Sequence, residues 1–457
     1  MTRKMKDSGI EWIGDIPEDW EIVKLKHLAL DRQAGVWGKD ESQDKLTNNK
    51  ICIRIADFDY PRMTIRKDIE FTLRNYTDNE ISKCSLQKGD ILIEKSGGGE
   101  KTPVGRTIIW NEDFQALYAN FIERLRVDKK QILPMFAQFC FFAFYGIGGS
   151  NLYFNQTTGI QNLNITGMMN DLRLPTPDLS TQIKIVDILD RKRNQIEIIK
   201  SAIIKEIQTL EDYKKSVITE AVTKGLDKNV EMKDSGIEWI GEIPKHWKVI
   251  RIKNAALLKA RIGWQGLKSD EFLDDSNLPY LVTGTDFKDG LVDWYSCVRI
   301  SEKRFEMDKN IQIKENDLLI TKDGTIGKLA IAKKCPDKAS LNSGVFVMRN
   351  QGPYKYVDKY MYYLLQSEQF YLWFELNDAG NSTIRHLYQR DFYNFSFTYP
   401  EINEQNDIVD YLDKKTKLID DSIAIKQKQL ETLEEYKKSL IYEYVTGKKE
   451  VKDDEET

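Results

Sequence analysis

The chain has 457 residues, 41% hydrophobic and 11% aromatic, the composition of a folded protein with room for more than one core. Its formal net charge of −4 excludes the strongly basic class of phosphate-gripping proteins. Five scattered cysteines (52, 84, 140, 297, 335) and three scattered histidines (27, 246, 386) provide neither a disulfide framework nor zinc-ligand spacing.

From the N-terminus, charged residues leave no apolar signal-peptide core, so a reducing cytoplasmic setting is expected. Residues 5–14 read MKDSGIEWIG, and residues 232–241 repeat them letter for letter. The repeat runs on: DIPEDWEIVKLKHLA in the first copy faces EIPKHWKVIRIKNAA in the second, pairing Pro17 with Pro244 and Trp20 with Trp247. Trp12 and Trp239 are expected to act as apolar plugs that anchor the chain to a neighbouring helix. Further along, KGDILIEKSGG (88–98) answers ENDLLITKDGT (315–325), each an apolar strand entering a Gly-rich loop. The apolar run at 135–149 is too short to span a bilayer and reads as a buried helix. In the second copy, residues 354–376 show helical spacing of bulky side chains.

Each half closes on a matched tail: QIKIVDILDRK (182–192) with QNDIVDYLDKK (405–415), then TLEDYKKSVITEAVT (209–223) with TLEEYKKSLIYEYVT (432–446). Heptad steps mark an apolar seam at Leu189, Ile196, Ile203, Ile207, Leu210 and Val217, and at Leu412, Ile419, Ile423, Leu430, Leu433 and Leu440. Polar residues interrupt it at matching steps (193/416, 214/437, and nearly so at 200/426), as in two strands of one coiled coil. Each tail should be a helix roughly 60 Å long. The implied division is 1–174 a first globular domain with its anchor, 175–228 a first long helix, 229–399 a second globular domain with the repeated anchor, 400–448 a second long helix, and 449–457 an acidic, disordered tail.

Between these constant frames the two inserts diverge. Residues 24–174 carry 21 Lys+Arg against 18 Asp+Glu, and 248–399 carry 22 against 19, so both inserts are mildly basic while 400–457 carries 10 against 16. DNA binding is thereby permitted, with a partner supplying much of the phosphate contact. Each insert reads as an α+β globule with Gly-rich loops on one face.

No catalytic motif survives inspection. SGGGEKT (96–102) and DGTIGKL (323–329) miss the P-loop pattern at Glu100 and Leu329. A base-methylating enzyme would need an Asn/Asp-Pro-Pro-aromatic tetrapeptide, and the chain contains no Pro-Pro. Pro177-Asp178 with Asp190 and Lys192 imitates a nuclease carboxylate set, but Asp190 and Lys192 would point to different faces of a helix. Asp178 and Ser180 read instead as a helix start, with Ser180 the expected N-cap.

The doubled SGIEWIG opening, the GDILI strand with its Gly-rich loop and the TLEDYKKSVITEAVTKG ending resemble the specificity subunit of type I restriction-modification systems. That resemblance implies a non-catalytic subunit with two α/β target recognition domains, pseudo-twofold related and separated by two antiparallel helices. It implies a bipartite, asymmetric double-stranded DNA target, one half-site per domain, with the helices acting as a ruler for the spacer. It also implies methyltransferase and restriction (translocase/nuclease) partner subunits, which would carry S-adenosylmethionine, ATP and Mg2+, this chain carrying no cofactor or metal. Two other readings stay open: a two-domain coiled-coil scaffold binding only proteins, and the specificity subunit of a related defence system.

Base reading requires hydrogen-bonding side chains on exposed loops. The DNA-contact set expected in the first domain is Trp37, Lys39, Lys95, Ser96, Lys101, Thr102, Arg106, Asn155, Gln156, Gln161 and Asn162. In the second it is Arg261, Trp264, Gln265, Lys322, Asp323, Thr325, Lys328, Ser382, Thr383, Arg385 and His386.

Overall fold

A computed structural model describes residues 3–41, 48–157, 159–262, 267–377 and 385–451, without the side chains of 156 and 157. The repeated decapeptide folds twice into the same hairpin. Met5–Asp7 pairs antiparallel with Asp15–Pro17, and Met232–Asp234 with Glu242–Pro244. The intervening loop is tied identically in both copies. Asp7 and Asp234 accept from Gly9 and Gly236 N–H, each at 2.9 Å, and Ser8 and Ser235 accept from the backbones of Ile10 and Ile237.

After the hairpin each insert enters and leaves through one two-stranded ladder. Glu21–Lys24 pairs with Arg173–Thr176, and Lys248–Arg251 with Ser396–Tyr399. The first insert builds a four-stranded sheet in the order Thr107–Ile109, Ile91–Glu94, Ile122–Val127, Ala29–Ala34, and a three-stranded sheet in the order Ala116–Tyr118, Asn49–Ile53, Thr72–Asn75. The apolar run near 135–149 forms the helix Pro134–Gly146, with Pro at its first position, where no intrahelical donor is needed. Its residues 136–141 are all buried. The second insert builds a six-stranded sheet centred on Val345–Asn350, Leu318–Thr321 and Leu329–Ile331. The bulky run at 354–376 breaks into two helices, Asp358–Leu364 and Glu368–Asn377, between which Ser367 is fully buried and donates its hydroxyl to Leu364 O. The architecture is therefore α+β.

The two long helices are Leu179–Lys224 (46 residues) and Ile402–Val445 (44 residues), about 69 and 66 Å at 1.5 Å per residue. The chain clusters into two compact units, Met1–Ile203 with Lys428–Thr457, and Ile204–Gln427. This differs from the linear division read from the sequence, because each unit takes one end of both helices. Of the expected acidic tail, residues 452–457 lie outside the described residues.

In the first unit, Glu197 receives Lys437 at 3.0 Å, and Lys200 pairs with Glu434. In the second, Lys214 meets Asp420 at 2.7 Å and Glu206 meets Lys426. Later residues of one helix meet earlier residues of the other, so the helices run antiparallel inside each unit. Lys200, Lys214, Lys426 and Lys437, four of the polar breaks in the heptad seam, are where these charge pairs form. Lys437 is 1% exposed and lies between Glu197 and Glu434, so its charge is neutralised inside the seam. All twelve apolar seam residues are buried or half-buried.

Each anchor hairpin seats against helix ends in its own unit. Ile13, Ile16 and Trp20 share a core with Ile185, Ile188, Leu189, Leu440, Ile441, Tyr444 and Val445. Ile240, Ile243 and Trp247 share one with Val217, Ile218, Ala221, Val222, Ile408, Val409 and Leu412. The fully buried plugs are Trp20 and Trp247, 1% exposed each. Trp12 and Trp239 are only half-buried, Trp12 lying edge-on to Phe144 at 5.5 Å.

The first long helix is capped by Asp178 rather than by Ser180. Asp178 Oδ1 accepts from Thr181 N–H at 3.0 Å, while Ser180 donates its hydroxyl to Asp178. Hydrogen bonds from Ser180 and then Thr181 pull the Asp178 carboxyl down to about 2. Replacing Asp178 with Ala should cost about 1 kcal/mol in urea unfolding at pH 7. A carboxyl depressed on folding stabilises above its ordinary value of 3.8 and loses that contribution as the pH falls toward 2. The gap between wild type and variant should therefore close over that acid window, and a pH-independent gap would rule the cap out as its source.

Candidate nucleic-acid interface

In the first unit the strand Ile91–Glu94 is buried at all four positions, and the chain then turns outward. Lys95 N–H donates to Phe121 O at 2.8 Å, and Lys95 O accepts from Leu163 N–H at 2.8 Å. Ser96 and Gly97 pair with Asn162 and Gln161 of the hairpin formed by Phe154–Thr157 and Ile160–Leu163. Ser96, Asn155 and Asn162 are thus carried on one small sheet, with Lys95 just before it and Lys101 and Thr102 exposed in the adjoining turn. Lys95 also lies 3.5 Å from Glu123.

Trp37 and Lys39 are exposed on a separate segment. The Arg74 guanidinium covers the Trp37 ring at 4.6 Å, and Lys39 bridges Asn75 through its backbone. Trp37 borders a groove of about 470 Å³ with Arg54, Ile55, Ala56, Ala119, Asn120 and Phe121. Phe121 is 52% exposed yet was not expected at the interface. Its only sequence signal is an aromatic residue opening a strand.

Three expected contacts in this unit are engaged inside the fold, the first being Ser96, buried with its hydroxyl donated to Asn162. Glu94 is 1% exposed, and a carboxylate at that depth requires a counter-charge. Arg106 supplies it through two hydrogen bonds of 2.8 and 2.9 Å, with its guanidinium 3.9 Å from the Tyr60 ring centre. Gln161 is 3% exposed, and its carbonyl accepts from Val104 N–H at 3.0 Å. Gly98 needs its missing side chain here: its φ is +65°, and a Cβ would stand 2.7 Å from Val104 N and 2.8 Å from Gln161 Oε1. The amides of Gly99 and Thr102 bond to each other's carbonyls, and those of Val104 and Gly105 to Gln161 and Glu94, so the turn is tied internally.

The second unit repeats the bracket. Lys322 N–H donates to Gly344 O at 2.9 Å, and Lys322 O accepts from Leu387 N–H at 2.9 Å. Asp323 bridges His386, with 2.7 Å between Oδ1 and Nδ1, and also accepts from Lys322 at 2.9 Å. Burial pushes the Asp323 carboxyl up, but hydrogen bonds from Lys322 and His386 outweigh it and hold it below the usual range. Thr325 and Lys328 are exposed on the same loop, which Thr321 closes by donating to Thr325 O and accepting from Lys328 N–H. Arg385 is exposed and forms a two-pronged pair with Glu375 at 2.7 and 2.8 Å.

Arg261 is a correction to the expected interface. It is 2% exposed, donating to Leu341 O at 2.9 Å and to Ser340 at 3.1 Å, so it braces a strand and is withheld from any ligand. Trp264, Gln265, Ser382 and Thr383 lie outside the described residues, as does the side chain of Gln156.

Among the described residues the nuclease-like carboxylate set is not brought together. The nuclease-like Asp178 is spent as a cap, and Asp190 pairs with Arg193 at 2.9 Å. Burial pushes the thiols of Cys52, Cys84, Cys140 and Cys297 up, away from reactive thiolates. Among the described residues no group of three or more His, Cys, Asp or Glu could hold a metal ion, and no helix is long and apolar enough to cross a membrane.

The two units thus present differently lined loops held by the same backbone ties. The sequence profile of the type I restriction modification DNA specificity domain matches residues 17–209 and again 244–435, and the chain belongs to that family. It is a type I restriction-modification specificity subunit. A putative type I restriction enzyme MjaX specificity subunit of Methanocaldococcus jannaschii is 26% identical over 448 residues, covering 96% of both chains. The EcoBI specificity subunit of Escherichia coli is 25% identical over 250 residues, 53% of this chain and 51% of that one. In fold, a chain from a solved type I restriction-modification system structure superposes with a TM-score of 0.67 at 14% identity, over 94% of this chain and 98% of that one.

Proposed function

We propose that each unit reads one half of a bipartite, asymmetric double-stranded DNA target, and that the paired helices dock methyltransferase and restriction subunits. The observation that carries this reading is the doubled loop bracket, in which the same backbone ties present different side chains. A protein-only scaffold gives no reason for such divergence between such similar frames. The assembled complex would methylate adenine site-specifically and cut DNA with ATP, using S-adenosylmethionine, ATP and Mg2+ held by the partner subunits. This work would take place in the cytoplasm, where the chromosome is accessible. Deleting the gene in a host that expresses the matching methyltransferase should remove one bipartite N6-methyladenine motif from the genome. Long-read methylation mapping is the measurement, and an unchanged methylome would overturn the reading.

A further inference from the structure

The two units are two solutions to one structural problem. In both, a lysine is bracketed by its own N–H and C=O (Lys95 to Phe121 and Leu163; Lys322 to Gly344 and Leu387). In both, the residue after that lysine faces the residue just before that leucine, Ser96 against Asn162 and Asp323 against His386. Each pair is joined side chain to side chain at 2.7 Å. The backbone is the same and the chemistry differs. A lysine common to both units cannot distinguish two half-sites, whereas this pair can.

Within each pair one member holds and the other presents. Ser96 is 8% exposed and donates its hydroxyl to Asn162 Oδ1, which fixes the plane of an exposed amide. Asp323 Oδ1 lies 2.7 Å from His386 Nδ1, so in the neutral ring the proton sits on Nδ1 and Nε2 is the acceptor of a ring that is 37% exposed. Neither Asn162 Nδ2 nor His386 Nε2 has a hydrogen-bond partner among the described residues. We propose that Asn162 and His386 each read one base edge in the major groove, with Ser96 and Asp323 as the residues that position them. An amide with one carbonyl lone pair and its NH2 available matches the N6/N7 edge of adenine, and an imidazole acceptor matches the exocyclic amine of adenine or cytosine.

This assignment rests on the DNA-specificity reading and sharpens it to single residues. The test uses the complex assembled with its methyltransferase subunits and a library varying every position of the target, read by methylation. Asn162→Ala should lower discrimination about five- to hundredfold at one base pair of one half-site, leaving the other half-site unchanged. His386→Ala should do the same at one base pair of the other half-site. Ser96→Ala should give a smaller loss at the same base pair as Asn162→Ala, an effect that a purely structural role would not localise. Asn162→Ser and His386→Gln serve where an alanine variant loses its cooperative thermal transition. Unchanged preference, or methylation weakened evenly across all positions, overturns the assignment. If the wild-type complex prefers no bipartite sequence, the DNA-specificity reading itself fails.

Discussion

Exchanging residues 24–174 for the corresponding insert of a relative with a different target should replace one half of the methylated motif and leave the other half intact. The structure makes this exchange mechanically simple. The insert begins beside Glu21–Lys24 and ends at Arg173–Thr176, strands that pair with one another, so both cut ends sit on one ladder. The anchor hairpin of residues 5–17 and the helices lie outside the exchanged segment but share its core, so the incoming insert must supply apolar residues where Phe136, Phe139 and Phe144 stand. Within the segment lie the groove beside Trp37 and Phe121, Lys95, and the sheet carrying Ser96 and Asn162. The second unit keeps its loop tied through Lys322, Gly344 and Leu387 without help from the first insert. Methylation mapping in a host carrying the matching methyltransferase reads the outcome. Changes in both halves, or in neither, would mean that the inserts do not read independently.

How far the sequence reaches depends on the range of the interaction. The anchor hairpins were visible because ten residues recur unchanged, and the long helices because a seven-residue apolar period persists through both tails. The antiparallel charge pairs were half visible, since the polar breaks stood out while their partners did not. The loop chemistry was the least legible. Arg106, Gln161 and Arg261 look like open hydrogen-bonding groups in a linear reading, yet each is occupied by a group brought close by the sheets. Glu94 is 12 residues from Arg106, Val104 is 57 from Gln161, and Leu341 is 80 from Arg261. Periodicity reports which face a residue lies on, but cannot report which distant backbone group has already claimed it. The compact units were hidden for a similar reason, because each is completed by a helix end from the other half of the chain.

Truncating Trp20 or Trp247 to Ala should cost about 3–5 kcal/mol each, the range for emptying a large, fully buried aromatic site. Both indoles are 1% exposed and stand where an anchor hairpin meets helix ends. Glycines at the helix ends leave little room for the core to close over the void. Gly447 adopts φ +71°, and a Cβ there would stand 2.4 Å from Pro17 and 3.2 Å from the Trp20 ring. Gly225 adopts φ +75°, with the Trp247 ring 3.1 Å from the same point. The two sites should separate under a gentler change. Trp247 donates its indole N–H to Glu404 at 2.8 Å, whereas the Trp20 N–H has no partner among the described residues. Trp247→Phe therefore loses a hydrogen bond that Trp20→Phe never had, and should be the more costly of the two by about 1 kcal/mol. Urea unfolding of the purified chain measures all four variants. Losses under about 1 kcal/mol for both alanine variants would show that the anchors rest on the frame without being part of its core.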